Sequence, residues 1–169
     1  MQKYTYQQKI AISGLAIALY IVVMICTQSF AFGQYQIRIA TALYGLNAIF
    51  PFLVVPLGIA NMLSNTIMGG LGPLDMIGGG CVGIITGIII VLGKRYGLGN
   101  WVSALAVTLV PGLGVPVWLS IILDLPYWLL VSSVIVGQAI SGICSMLMVS
   151  ALERAGAGRL DVLFGGKKK

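Results

Sequence analysis

The polar side chains between residues 38 and 75 are those whose types and spacing could bind a small molecule. In a segment that is otherwise nearly all apolar, they are Arg38, Asn47, Asn61, Asn65 and Asp75. Charged and amide groups among apolar residues are costly unless they face a protein interior or a water-filled cavity. They are far apart in the sequence, so the fold must bring them together. Because they combine hydrogen-bond donors and acceptors, they predict a ligand pocket.

The composition indicates an all-α integral membrane protein. Of 169 residues, 59% are hydrophobic and only 8% are charged, whereas a soluble domain carries about a quarter charged residues. There are too few charges to cover a soluble surface, so lipid must be the main solvent. The 23 glycines suit close packing of membrane helices.

Apolar segments and helix breakers predict six transmembrane helices in a single domain, residues 1–169. The first segment could also be interpreted as a signal peptide. Its apolar run is long for one, so we interpret it as a retained helix. The second is short for a full span unless it tilts. We expect Pro56 to kink the third helix and residues 111–116 to interrupt the fifth. The predicted helices cover about residues 10–28, 37–49, 52–68, 74–93, 100–122 and 127–152.

The distribution of positive charge predicts the orientation of the helices. With six helices, both termini and the Lys94-Arg95 loop fall on one side, which the positive-inside rule assigns to the cytoplasm. A net charge of +6 would favour nucleic-acid binding in a soluble protein, but this clustering indicates a membrane and no nucleic-acid partner. All ten basic residues except Arg38 lie on that side, namely Lys3, Lys9, Lys94, Arg95, Arg154, Arg159, Lys167, Lys168 and Lys169.

The predicted topology places several of the polar residues at a similar depth in the membrane. With this topology, Arg38, Asp75 and the pair Asn61 and Asn65 lie in the outer half of three different helices. Singly, an asparagine can join two helices, Asp75 can cap its helix, and a tryptophan can belong to an interfacial belt. As a group at one depth, the residues favour a substrate pocket. Its predicted members are Arg38, Tyr44, Asn47, Asn61, Asn65, Asp75 and Trp118.

Small residues on the first helix form a second candidate surface. Ala11, Gly14 and Ala18 recur at helical spacing, and Gly14 and Ala18 are four apart, which admits another helix at close range. The spacing is equally consistent with packing inside this chain and with docking of a separate membrane subunit.

The sequence contains no set of residues typical of an enzyme or a metal site. Histidine is absent, and no nucleophile lies beside a base. Cys26, Cys81 and Cys144 are too widely spaced for a zinc pattern or a disulfide framework, so we expect buried thiols. The glycine triplet at 78–80 lacks the strand and lysine of a P-loop. We therefore predict no metal, no cofactor and no ATP hydrolysis by this chain.

Four motifs run through the segment that holds the polar residues. They are Ile37-Arg38-Ile39-Ala40-Thr41-Ala42-Leu43, then Pro51, then Ile59-Ala60-Asn61-Met62-Leu63, and then Gly70-Leu71-Gly72-Pro73-Leu74-Asp75. Together they resemble the QueT family, whose members are substrate-binding S-components of energy-coupling factor (ECF) transporters linked to queuosine precursors.

The resemblance implies a multi-pass protein of the bacterial plasma membrane with cytoplasmic termini. It implies a transmembrane coupling subunit, docked on the surface around Ala11, Gly14 and Ala18, and two cytoplasmic ATPase subunits. The implied substrate is a 7-deazapurine: queuine, queuosine or the aminomethyl deazaguanine precursor. Thr41 occupies a position where the family carries an acidic residue. The ligand therefore either lacks the cationic amine of the precursor or meets another acid, for example Asp75.

Other functions compatible with the sequence are an S-component for another vitamin-like or purine-like micronutrient, a stand-alone secondary carrier, and a structural membrane adaptor without a ligand. A stand-alone carrier would be favoured by inverted repeats, and the sequence contains no convincing ones.

Overall fold

The computed structural model describes residues 4–31, 35–68 and 71–156, and the regular structure in these ranges is helical. Lys3, Gly70 of the fourth motif and the basic residues from Arg159 onward lie outside the described residues. The elements are α1 (Tyr6–Cys26), α2 (Gln28–Ala31), a 3-10 segment (Ile39–Ala48), a 3-10 turn (Pro51–Leu53), α3 (Val54–Ile67), α4 (Pro73–Arg95), α5 (Trp101–Leu123) and α6 (Tyr127–Arg154).

Helices α1, α4, α5 and α6 are long and apolar enough to cross a membrane. The other two predicted spans are shorter: the apolar stretch Pro51–Ile67 and the 3-10 segment. Helix α1 begins at Tyr6 rather than at residue 10, because Thr5 and Gln8 form a capping box in front of it. Each of these two side chains bonds the backbone N–H of the other, which satisfies two donors that the helix itself leaves unpaired.

The predicted second helix is a 3-10 segment rather than an α-helix, and most of its residues are buried. Its bonds reach back three residues, as from the Thr41 N–H to the Arg38 carbonyl at 2.9 Å. The Thr41 hydroxyl bonds the same carbonyl at 2.6 Å, and such local side-chain bonds compete with α-helical pairing. A 3-10 helix rises about 2.0 Å per residue against 1.5 Å, so ten residues reach ~20 Å instead of ~15 Å.

Two rows of small residues flank the 3-10 segment and allow it to lie between two long helices. A side chain at Gly45, for example, would collide with Ser145 of α6. Close approach of a backbone requires small residues on the facing helix. The rows are Gly137, Ser141 and Ser145 on α6 and Gly79, Gly83 and Gly87 on α4.

The prolines disturb the helices less than the sequence predicted. Pro56 lies in the first turn of α3, where proline is tolerated because the N–H groups of that turn have no partner within the helix. Helix α5 is continuous from Trp101 to Leu123 with Pro111 and Pro116 inside it, so the predicted interruption is wrong. Membrane helices tolerate proline where neighbouring groups compensate for the lost bond.

A polar clamp joins the end of α4, the start of α5 and the end of α6. Lys94 Nζ donates to Asn100 Oδ1 at 2.6 Å and pairs with Glu153 Oε1 at 2.9 Å. Asn100 Nδ2 in turn donates to Glu153 Oε2 at 2.7 Å and to Ser150 Oγ at 3.0 Å. These three helix termini therefore lie together at one end of the bundle.

The three cysteines are free and exposed on the outside of the helices, so the prediction of buried thiols is wrong. A membrane protein presents apolar residues to lipid as well as to its core. The apolar surroundings of a cysteine in the sequence therefore do not show on which side of its helix the thiol lies.

The orientation of the bundle can be tested by cysteine labelling. Gly97 in the basic loop has φ 77°, which disfavours a cysteine, whereas the neighbouring Tyr96 is 80% exposed. In a variant without the three native cysteines, we expect an impermeant maleimide added to intact cells to leave Tyr96→Cys unlabelled. Leu125→Cys, in the loop between α5 and α6 at the other end of the bundle, is the control and should react. Efficient labelling of Tyr96→Cys from outside would contradict the orientation.

Candidate functional site

Arg38 is buried immediately before the 3-10 segment, where two side chains of α3 bind its guanidinium group. Its Nη1 donates to Asn65 Oδ1 at 3.0 Å and to Asn61 Oδ1 at 3.4 Å. All three side chains are at most 5% exposed. The two amides point the same way because residues four apart share one helix face. A buried charge is thereby bonded to neutral oxygen atoms of a neighbouring helix.

The same two asparagines connect α3 to α4. Asn61 Nδ2 donates to the Gly79 carbonyl at 2.7 Å, and Asn65 Nδ2 donates to the Asp75 carbonyl at 3.1 Å. A carbonyl oxygen has two lone pairs, so it can accept these bonds in addition to its helical one. Each amide therefore uses its oxygen toward Arg38 and its nitrogen toward α4.

Asp75 lies in the first turn of α4, behind Gly72 and Pro73, and is 3% exposed. Its Oδ2 accepts from the Leu71 N–H at 3.4 Å, and its Oδ1 accepts from Trp118 Nε1 at 2.9 Å. A carboxylate is favourable at a helix N-terminus, but this one also binds a side chain of α5. A carboxylate has about four acceptor positions, so it keeps capacity for further donors.

The glycine row of α4 makes room for polar side chains of the neighbouring elements. A Cβ added at any of the three glycines would lie within 3.0 Å of a polar atom, closer than real Cβ contacts. The number of glycines in the sequence indicated close helix packing in general, without these partners. The pairs are Gly79 with Asn65 Nδ2 at 2.7 Å, Gly83 with Tyr44 Oη at 2.5 Å and Gly87 with Asn47 Nδ2 at 2.8 Å.

Five of the seven predicted site residues lie in one hydrogen-bonded group, which we call the outer polar cluster. Tyr44 and Asn47 are fully buried but lie further along α4, against Gly83 and Gly87. Gly87 is ~12 Å from Gly79 along the helix axis, so Asn47 lies beyond the middle of α4 and not at the depth of the cluster. The outer polar cluster consists of Arg38, Asn61, Asn65, Asp75 and Trp118.

Helix α6 adds polar residues that the sequence analysis missed. Gln138 is 1% exposed; its Oε1 accepts from the Thr41 hydroxyl at 3.0 Å, and its Nε2 donates to the Gln36 carbonyl at 3.2 Å. Ser141 donates to the Arg38 carbonyl at 2.9 Å. Thr41 therefore faces α6 and not the asparagines of α3. A glutamine in the middle of an apolar helix was the signal that could have found this contact.

The small residues of α1 face away from the rest of the described chain. Ala11, Gly14 and Ala18 are exposed, and a Cβ added at Gly14 would meet nothing within 4 Å. Of the two interpretations of this spacing, packing within the described part of the chain does not apply. The surface formed by these three residues, here called the α1 small face, is open to lipid or to another protein.

Comparison with family models matches residues 10–154 to the QueT transporter model. The chain belongs to the QueT transporter family. Neither a comparison with curated proteins nor one with solved structures gives a match.

Membership of the QueT family confirms the resemblance drawn from the four motifs. The matched range contains the whole outer polar cluster, the glycine row of α4 and the α1 small face. Together with its four long apolar helices, the match makes the chain a multi-pass membrane transport protein with a small-molecule substrate.

The packing of Tyr44 against the glycine row of α4 can be tested with Gly83→Ala. The new methyl group would lie 2.5 Å from Tyr44 Oη and 3.3 Å from the Gly58 Cα, so we expect a loss of about 1–3 kcal/mol in stability, the usual cost of overpacking. Gly14→Ala is the matched control, because it makes the same change in open space and should gain about 0.5–1 kcal/mol in helix propensity. Thermal unfolding in detergent measures both. Equal effects at the two positions would contradict the packing described.

Proposed function

We propose that this QueT family member is the substrate-binding S-component of an ECF importer. It binds a queuosine-related 7-deazapurine, and separate subunits hydrolyse ATP and complete uptake. The observation that carries the proposal is the outer polar cluster, in which buried donors and acceptors from four elements meet. Convergent polar groups in an apolar surrounding are typical of ligand sites, and in a membrane protein they are functional candidates first.

Asp75 is the residue that selects a guanine-like base. The recognition edge of guanine presents a ring N–H and an exocyclic amine, and a carboxylate accepts hydrogen bonds from both. The amides of Asn61 and Asn65 offer donors and acceptors, and the Arg38 guanidinium donates to a ligand carbonyl. These groups bond one another, and a bound ligand exchanges some of those bonds for its own.

Thr41 affects how a cationic amine on the ligand would be recognised. The residue in this position is neutral and its hydroxyl lies between the Arg38 carbonyl and Gln138. A cationic amine on the ligand therefore meets no acid at position 41. Asp75 is the carboxylate of the cluster that such an amine could approach.

The proposed bundle has six membrane-crossing segments, with both termini on the cytoplasmic side of the bacterial plasma membrane. The 3-10 segment is the shortest of them. Backbone that is not α-helical is tolerated at membrane depth where protein covers it, and α4 and α6 flank the segment on two sides. The described helix ends that carry Lys94, Arg95 and Arg154 lie at one end of the bundle, as the positive-inside rule requires.

The α1 small face is the proposed docking surface for the transmembrane coupling subunit. Ala11, Gly14 and Ala18 allow a partner helix to approach closely, and no described part of the chain fills the space at Gly14. Two cytoplasmic ATPase subunits complete the proposed transporter.

The recognition mode predicts weaker binding after substitutions in the cluster. Asp75→Asn keeps an acceptor for Trp118 but removes the charge, and Asn61→Ala removes one amide. We expect each to cost about 1–3 kcal/mol in binding, the usual cost of leaving a buried partner unpaired. Isothermal titration with queuine, the aminomethyl precursor and adenine measures this, and adenine should bind most weakly.

Asp124→Asn is the matched control, because it makes the same change at an exposed position whose left-handed backbone asparagine tolerates well. Equal affinity for all three compounds, or unchanged binding by Asp75→Asn, would refute this recognition mode.

The docking surface predicts a separation of binding from uptake. Gly14→Leu and Ala18→Leu fill the space that a partner helix needs, so we expect cellular uptake to be abolished while the purified protein binds its ligand with unchanged affinity. Ala151→Leu, an enlargement at an exposed position of α6, is the control and should transport normally. If binding falls as far as uptake does, the face supports the fold of this chain and is not a docking surface.

A further inference from the structure

Helix α6 binds the backbone at and before Arg38. Gln138 Nε2 donates to the Gln36 carbonyl at 3.2 Å, and Ser141 Oγ donates to the Arg38 carbonyl at 2.9 Å. Gln138 and Ser141 are three residues apart on one face of the helix, and both are at most 1% exposed. The backbone that carries the guanidinium group is therefore bonded to α6 inside the protein.

The donors at the Arg38 carbonyl outnumber its acceptor positions. It faces the Thr41 N–H at 2.9 Å, the Thr41 hydroxyl at 2.6 Å and the Ser141 hydroxyl at 2.9 Å, whereas a carbonyl oxygen has two lone pairs. The Thr41 hydroxyl has a second acceptor in Gln138 Oε1, at 3.0 Å. When its single proton goes to Gln138, each of these groups is bonded. Gln138 then joins the backbone before Arg38 to the first turn of the 3-10 segment after it.

The backbone at Gln36 has φ 43°, a left-handed conformation that is uncommon for a residue other than glycine. Such a conformation is unfavourable and persists where the surrounding structure imposes it, often at a functional site. Two features of α6 impose it here. Gln138 bonds the Gln36 carbonyl, and Gly137 leaves room for the Tyr35 carbonyl, with which a side chain would collide. This contact lies two residues before Arg38, so it determines where the chain enters the site.

The groups that surround the guanidinium belong to other helices. Asn61 and Asn65 lie on α3 and bond carbonyls of α4. Asp75 lies on α4 and accepts from Trp118 of α5. A disturbance of the α6 contact therefore displaces Arg38 relative to these groups and leaves their bonds to one another in place.

We propose that Gln138 and Ser141 are positioning residues of the substrate site, which act through the backbone of Arg38 and not by touching the ligand. The inference rests on the proposed function, in which the Arg38 guanidinium donates to the ligand carbonyl and Asp75 accepts from the amino edge. Loss of the α6 bonds therefore weakens recognition of the ligand carbonyl in particular. A small displacement is sufficient, because a hydrogen bond weakens steeply as its angle becomes unfavourable.

Two ligands that differ only at the carbonyl test this role. The tighter binder of queuine and the aminomethyl precursor is compared with its own 6-thio analogue by isothermal titration of the purified protein. The analogue keeps the ring N–H and the amine but carries sulfur, a weaker acceptor, in place of the carbonyl oxygen. We expect the wild-type protein to bind the oxygen compound about tenfold more tightly. A wild-type ratio of one would overturn the inference, because Arg38 would then not recognise the carbonyl.

Two variants of α6 should lower this ratio. Gln138→Met removes both hydrogen-bonding atoms from a side chain of similar length, and Ser141→Ala removes only the hydroxyl. We expect each to lower the ratio about threefold or more, through weaker binding of the oxygen compound. Gln7→Met and Ser132→Ala make the same changes at exposed positions and should keep the wild-type ratio. If Gln138→Met does not fold, Ser141→Ala decides the question alone.

A merely structural role of the two residues would give a different result. Thermal unfolding in detergent would then show a lowered Tm for the α6 variants with the affinity ratio of the wild type, which would overturn the inference. If the ratio is unchanged in both variants while Asp75→Asn weakens binding, the proposed function stands and the inference is wrong. If neither queuine nor the precursor binds the wild-type protein, the proposed function is wrong and the inference is wrong with it.

Discussion

The guanidinium group of Arg38 must be hydrogen-bonded inside the bundle, and the arrangement of α3 and α4 around it meets this requirement. Asn61 and Asn65 turn their oxygen atoms to Arg38 and their nitrogen atoms to backbone carbonyls of α4. A buried polar network is favourable only when its members are satisfied. The amide of Asn65 reaches its carbonyl because Gly79 has no side chain in the way. The distance between the two helices is thus set by the bonds that a buried charge needs.

The 3-10 segment next to Arg38 departs from the usual preference of a chain for α-helical hydrogen bonding. Runs of 3-10 helix longer than three or four residues are uncommon, because their hydrogen bonds are poorer than those of an α-helix. Here Arg38 immediately precedes a segment of ten residues, which carries Asn47 near its end and lies between the small rows of α4 and α6. Departures from local rules are expected at functional sites. In this protein the departure lies in the segment that directly follows Arg38 of the outer polar cluster.

The sequence predicted the long helices and the membrane class, because length, apolar content and helix breakers determine them directly. It also grouped the members of the outer polar cluster, since polar residues of a membrane protein gather where they can pair. It could not distinguish a 3-10 segment from an α-helix, because both carry the same apolar pattern and the difference depends on bonds such as that between Thr41 and Arg38. The abundance of glycine indicated close helix packing but not which side chains each glycine meets. Gln138 is visible in the sequence as a glutamine within an apolar helix, but its partners, the Thr41 hydroxyl and the Gln36 carbonyl, are not.

Helix α1 belongs to both surfaces on which the proposed transport cycle depends. Tyr20, on its buried face, packs against the ring of Tyr44, while Gly14 and Ala18 lie on its exposed face. Tyr20 and Ala18 are only two residues apart, so less than one helical turn separates this buried contact with Tyr44 from the α1 small face. A shift of Tyr44 on ligand binding would therefore act directly on the helix that carries the proposed docking surface. Coupling between substrate and partner needs no longer path than the width of this one helix, because the same backbone holds both faces.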